Sequence, residues 1–282
     1  MKIFNVDLYE YFKREKPANY NGGVLTCYVQ DSPFPEEVLY PAMLVVPGGA
    51  YHHIGARESE PIALEFLSYN YNAFLLKYSV ETVQFPVALQ ECAMAMVYIR
   101  ENAKTLKTKS DKIGCIGFSA GGHLVGTLST LFDSEYLDFL GNKKQLVKPN
   151  ATIYGYPVVT YFGNTHTYSF DVLCGNNEEL KGTLSLENLV HKDCPPCYIF
   201  ATAGDNAVPC RNSLVLASAY EKVNVSYTVH IFAGGVHGLS LGTDELFFNN
   251  ETDYKYFKDG TSTDYHKWFK MAITWLKDIN IK

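Results

Sequence analysis

The chain has 282 residues, 47% of them hydrophobic and 19% charged, with a net charge of −6. That is enough apolar content for a sizeable core, too little charge for a disordered chain, and the wrong sign for a general nucleic-acid binder. No apolar run reaches the roughly 18 residues a transmembrane helix needs, so no membrane span is expected.

Along the chain, residues 1–16 carry acids and lysines where a secretory signal needs an apolar run, which predicts a cytoplasmic protein. Residues 1–30 are expected to add one or two antiparallel edge strands, 25–29 being the better candidate. A short apolar strand at 43–46 stops at Pro47-Gly48-Gly49, and 61–69 reads as a helix. A strand at 73–78 follows. Pro86 then opens a long helix with Leu89, Ala93, Met96 and Val97 near i, i+3, i+4 spacing. Next come a strand at 112–118, a helix at 121–131, strands at 152–156 and 198–202, a helix at 212–223, a strand at 226–232 and a last helix at 265–279. Strand alternating with helix predicts an α/β fold whose mostly parallel central sheet is flanked by helices on both faces. Two stretches break the alternation, 158–197 and 239–264, and read as loop insertions. Sheets of this kind bind ligands at the carboxyl ends of their strands.

Gly117-Phe118-Ser119-Ala120-Gly121 matches G-x-S-x-G, and it lies between an apolar strand and a helix, the setting a nucleophile elbow requires. A serine at its ordinary pKa needs a base. In this arrangement the chain order is Ser, then Asp or Glu, then His. Among the eight histidines, His230, His237 and His266 lie late enough; His230 falls inside a strand and His266 at a helix start. His237, in the glycine-rich turn after a strand, is the predicted base. Asp205 ends the preceding strand and is the predicted orienting acid; Asp193 comes before that strand and Asp244 after His237. The oxyanion hole is expected from the backbone N–H of Ala120 and from Gly49 or Ala50 in the loop after the first parallel strand. Tyr51, His53 and Tyr156 are the candidate substrate contacts. Arg57-Glu58-Ser59-Glu60 reads as a helix-start ion pair or cap, and His123 as packing. No H-E-x-x-H spacing is present, and neither metal nor cofactor is expected. The seven cysteines are odd in number and scattered, which suits free thiols, and Cys194-Pro-Pro-Cys197 is not read as a redox pair.

With these residues in place, the sequence resembles the α/β-hydrolase superfamily, within it the bacterial esterase/lipase branch of acetyl esterases and acetylxylan esterases. The resemblance rests on PGGAY at 47–51, RESEPIALEF at 57–66, NAFLLKYSV at 72–80, FPVALQE at 85–91, IGFSAGGHLVGTL at 116–128, AGDNAVPCRNSL at 203–214 and HGLSLG at 237–242. It departs from the HGGG lipases in opening its oxyanion loop with Pro47, and it carries Gly204 where these esterases often have a second Asp. The resemblance implies one α/β-hydrolase domain over 1–282, a three-layer sandwich, and hydrolysis of short-chain acyl esters, acetyl above all, of sugars or oligosaccharides. The implied partner is a small ester or acetylated saccharide, with a homodimer as the expected assembly. Amide hydrolysis, as in a peptidase or formamidase, is the alternative on the same residues. A non-catalytic binding protein is a third reading, opposed by the intact Ser, Asp and His.

Overall fold

Eight strands form one sheet in the computed structural model of the chain, which describes residues 1–31, 38–163, 165–243 and 264–282. Asp244 and most of the second insertion therefore lie outside the described residues. The strands are β1 (Lys2–Asp7), β2 (Val24–Val29), β3 (Tyr40–Val46), β4 (Asn72–Lys77), β5 (Thr108–Phe118), β6 (Ala151–Gly155), β7 (Cys197–Thr202) and β8 (Tyr227–Phe232). Their spatial order is β1-β2-β4-β3-β5-β6-β7-β8. β1 and β2 pair antiparallel, as does β2 with β4, and every pair from β4 through β8 is parallel. This is the α/β-hydrolase fold, and of the one or two antiparallel strands expected from residues 1–30 two are present, β1 at the edge and β2 inside it.

The helices are α1 (Leu8–Phe12), α2 (Glu60–Ser68), α3 (Val87–Glu101), α4 (Ala120–Thr130), α5 (Thr167–Cys174), α6 (Glu178–Thr183), α7 (Leu186–Leu189), α8 (Arg211–Lys222) and α9 (Trp268–Asp278). The period-two alternation of the strands sorts the core into two clusters. Leu44, Val46, Cys115, Tyr154 and Ile199 face one side, with α3, α4 and α8. Met43, Val45, Ile116, Ile153, Tyr198 and Phe200 face the other, with α2 and α9. Because both faces are covered, the central strands show no polar alternation and read as apolar runs. All seven cysteines are unpaired.

The stretch 158–197, which lacks the pattern of a long element, is built from α5, α6 and α7 at the carboxyl end of the sheet. Short helices of eight, six and four residues carry too few turns for a readable stripe. Chain connections leave β3 toward β4 on one side and, after β4, return to β5 on the other. The order reverses between β3 and β5, so the loop after β3 and the turn after β5 flank a crevice at the strand ends.

Candidate active site

Ser119 stands in the tight turn between β5 and α4 with φ 52 and ψ −121, a left-handed backbone that a side chain rarely adopts. The glycines on either side make this turn possible. A Cβ on Gly117 would lie 2.1 Å from the Gly121 carbonyl oxygen, and one on Gly121 would lie 2.3 Å from the carbonyl oxygens of Val46 and Pro47. The elbow thus presses directly against the end of β3.

The hydroxyl of Ser119 lies 2.9 Å from Nε2 of His237. Nδ1 of the same ring lies 2.7 Å from Asp205 Oδ2. The other carboxylate oxygen, Oδ1, accepts the N–H groups of Ala207 at 3.0 Å and Val208 at 2.8 Å. Asp205 is fixed at both oxygens and its side chain is fully buried, while the His237 side chain is 21% exposed. An ionised carboxylate only accepts, so Nδ1 carries the proton and Nε2 presents its lone pair to Ser119. The three residues come from the ends of β5, β7 and β8.

The loop after β3 is held by its carbonyls. Pro47 accepts the Tyr78 hydroxyl at 2.9 Å, Gly48 accepts Gly55 N–H at 2.8 Å, and Gly49 accepts the N–H groups of His52 and His53 at 2.9 and 3.0 Å. Gly49, Ala50 and Tyr51 all take positive φ, at 126, 57 and 58. Among the described residues, the N–H groups of Gly49, Ala50 and Ala120 donate to no protein acceptor. Three free donors are therefore available around the serine.

A cavity of about 490 Å³ opens over Ser119 and His237, lined also by Gly49, Ala50, His53, Arg57, Glu58 and His166. His53 stands on this wall. Tyr51 and Tyr156 do not, and their expected place as substrate contacts is corrected. Tyr51 is 3% exposed and its hydroxyl points into the core, 2.8 Å from Nδ1 of His123. Tyr156 is 2% exposed, and its ring packs edge-on against His237 with centroids 5.1 Å apart. Both phenols are held far above the usual range by burial and remain hydrogen-bond donors. They belong to the layer that supports the site.

His123 has both ring nitrogens engaged, by Tyr51 and by the Leu184 carbonyl at 2.8 Å, and burial lowers its pKa to about 4. It is a neutral core histidine, as its position in the first turn of α4 predicts. His166 is a cavity residue that sequence reasoning passed over. Its Nδ1 lies 2.9 Å from the Ser169 hydroxyl, and burial, with the neighbouring His237 second, lowers its pKa. It lies in the stretch 158–197, where no periodicity marked which residue turns inward. Glu58 was also missed. It stands in a single 3₁₀ turn (Ala56–Glu58) ahead of α2 and points its carboxylate inward, rather than serving as a helix-start cap.

A family model described as BD-FAE matches residues 31–220, more than half of the chain. The chain belongs to the BD-FAE family of α/β-hydrolases. Endo-1,4-beta-xylanase B of Butyrivibrio fibrisolvens is 36% identical to this family member over 225 residues, covering 75% of the chain but 34% of that relative. Acetylxylan esterase of Xylanibacter ruminicola is 26% identical over 231 residues, covering 78% of the chain and 44% of that relative. The chain thus spans less than half the length of these two curated relatives. The crystal structure of an acetyl ester-xyloside bifunctional hydrolase from Caldicellulosiruptor lactoaceticus superposes with a TM-score of 0.82 at 30% identity, over 99% of this chain and 97% of that one.

Proposed function

We propose that this BD-FAE protein is a serine carboxylesterase that removes short acyl groups, acetyl foremost, from sugars or oligosaccharides. The observation that carries the reading is the relay from Ser119 through His237 to Asp205, at 2.9 and 2.7 Å, beside three backbone N–H groups with no protein acceptor. Further support comes from relatives whose names include an acetylxylan esterase and an acetyl ester-xyloside hydrolase. The cavity wall points the same way: glycines and Ala50 leave space near the serine, while His53, Arg57 and His166 offer polar groups to a hydroxylated alcohol.

In this mechanism His237 Nε2 takes the Ser119 proton as Oγ attacks the ester carbonyl. Asp205 holds the imidazole tautomer and stabilises the cation that forms. The Ala120 N–H, with those of Gly49 or Ala50, receives the developing oxyanion. Each such donor is worth about 2.7–4 kcal/mol in the transition state. The imidazolium returns its proton to the departing alcohol, and water, activated by the same nitrogen, releases the acyl group.

The test is hydrolysis of p-nitrophenyl esters from acetate to octanoate, wild type beside Ser119→Ala. Fast acetate cleavage that fades with chain length is expected, with kcat falling by roughly 10⁴-fold or more in the variant while the fold survives. Octanoate preference would overturn the short-acyl assignment. Absence of Ser119-dependent turnover on every ester would overturn the esterase reading and direct the same assay to aminoacyl amides.

A further inference from the structure

The Glu58 carboxylate takes no part in the proton relay, yet it is 6% exposed and lies in the catalytic cavity. Burying a carboxylate is expensive unless donors satisfy it. Two do. Oε2 accepts the Gly48 N–H at 2.7 Å, and Oε1 accepts the Tyr156 hydroxyl at 2.6 Å. The Tyr156 oxygen in turn accepts the Ser240 N–H at 3.1 Å. Ser240 then donates its hydroxyl to the Arg57 carbonyl at 2.5 Å, which closes a circuit back to the neighbour of Glu58. From the far side, Tyr265 and Trp268 donate to the Ser240 carbonyl at 3.0 and 2.9 Å.

This circuit joins the two loops the mechanism must align. At one end is Gly48, directly before the free N–H groups of Gly49 and Ala50. A Cβ on Gly48 would sit 2.7 Å from Glu58 Oε2 and 2.9 Å from Ser119 Cβ, so carboxylate and serine meet the same glycine. At the other end is the loop that carries His237, three residues before Ser240. Tyr156, the middle link, also packs on the His237 ring. Tyr156 and Ser240 both hold positive φ, at 35 and 51. Strained backbone of this kind persists only where surrounding bonds over-determine it.

We propose that Glu58 is a positioning residue, which sets the oxyanion loop and the His237 loop in register with each other through Tyr156 and Ser240. The proposal rests on the serine-hydrolase reading above. By engaging Gly48 N–H, Glu58 turns the loop so that the next two N–H groups face the serine. A carboxylate suits the task because charge-assisted hydrogen bonds are roughly twice as strong as neutral ones.

The experiment compares Glu58→Gln, Glu58→Ala, Tyr156→Phe and the double variant Glu58→Ala/Tyr156→Phe. Near-ultraviolet circular dichroism establishes that each is folded. Two rates are read: kcat and KM on p-nitrophenyl acetate, and the rate at which a fluorophosphonate labels Ser119. We expect Glu58→Ala to lower kcat and labelling by about 10–100-fold with KM within about threefold, because misplaced oxyanion donors act on the transition state. Glu58→Gln should recover part of the loss, since its amide can still accept from Gly48. The double variant should be no slower than Glu58→Ala, because groups acting as one unit are non-additive. Wild-type kcat and labelling in both Glu58 variants, a loss confined to KM, or losses that multiply in the double variant would each overturn the proposal. If Glu58→Ala does not fold, Glu58→Gln and Tyr156→Phe decide it by the same readouts. Should the wild type label at Ser119 but cleave no ester, the esterase reading falls and the labelling rates still test Glu58. Should it not label, both fall.

Discussion

Asp205 and Glu58 are both buried carboxylates at this site, and their oxygens face different partners. Asp205 Oδ1 is committed to two backbone N–H groups, so only Oδ2 reaches His237. An asparagine at 205 must keep its oxygen on those N–H groups and turn its NH₂ toward Nδ1. That favours the tautomer with the proton on Nε2, which cannot accept from Ser119. Asp205→Asn is therefore expected to lower kcat by about 10⁴-fold with the fold intact. Steady-state kinetics on p-nitrophenyl acetate check it, and a loss under about tenfold would contradict the proposed role of the acid. Ser119, Asp205 and His237 were readable as candidates because each follows the end of a strand and their chain order leaves few alternatives. Glu58 was not legible. Its meaning lies in Tyr156, 98 positions away, and nothing local distinguishes it from a surface acid at the start of a helix.

At the scale of elements, the strands and long helices followed from apolar runs and from turn chemistry. α3 begins at Val87 with Pro86 as its N-cap, a position where the missing N–H costs the helix no hydrogen bond. The elbow is closely constrained by its surroundings. Both its glycines are required by backbone carbonyls, that of Gly121 for Gly117 and those of Val46 and Pro47 for Gly121, which cannot move aside as a flexible side chain would. Gly121→Ala is expected to destabilise the protein by about 1–3 kcal/mol, as overpacking does. It should also reduce Ser119-dependent turnover, because the push falls on the end of β3, next to the loop proposed to hold the oxyanion. Urea unfolding beside the esterase assay measures both; unchanged stability with full activity would contradict this account. The substrate-contact expectation for Tyr51 and Tyr156 failed at this same scale. Adjacency to a functional loop does not determine which way a side chain turns, and here both phenols turn inward to polar partners.

Across the whole molecule, His123 ties three segments together: α4, which carries it, the loop after β3 through Tyr51, and the stretch before α7 through the Leu184 carbonyl. Burial lowers its pKa from 6.5 to about 4. The unfolded chain therefore takes up a proton at this site between pH 6.5 and about 4 while the folded protein does not. Stability from this source is complete above pH 6.5 and is lost as pH falls, by about 3 kcal/mol at the lower end. His123→Gln removes the titration. The stability difference between wild type and variant, measured by urea unfolding from pH 7 to pH 4, should shrink toward acid; a constant difference would exclude His123 as its source.

The sequence by itself determined the layered α/β architecture and the strands that precede the loops of the candidate site, and its chain order singled out the serine, acid and histidine proposed as the relay. These are properties of local pattern and chain order: apolar periodicity, glycine at turns with no room for Cβ, and residues at strand ends. Only the tertiary structure decided which polar groups meet. It placed the Glu58 carboxylate on the Gly48 N–H of the loop after β3, turned Tyr51 and Tyr156 inward, and brought His166 to the cavity. Such pairings depend on side-chain direction and on contacts between segments far apart in the chain, where burial makes each unsatisfied donor or acceptor costly enough to select its partner.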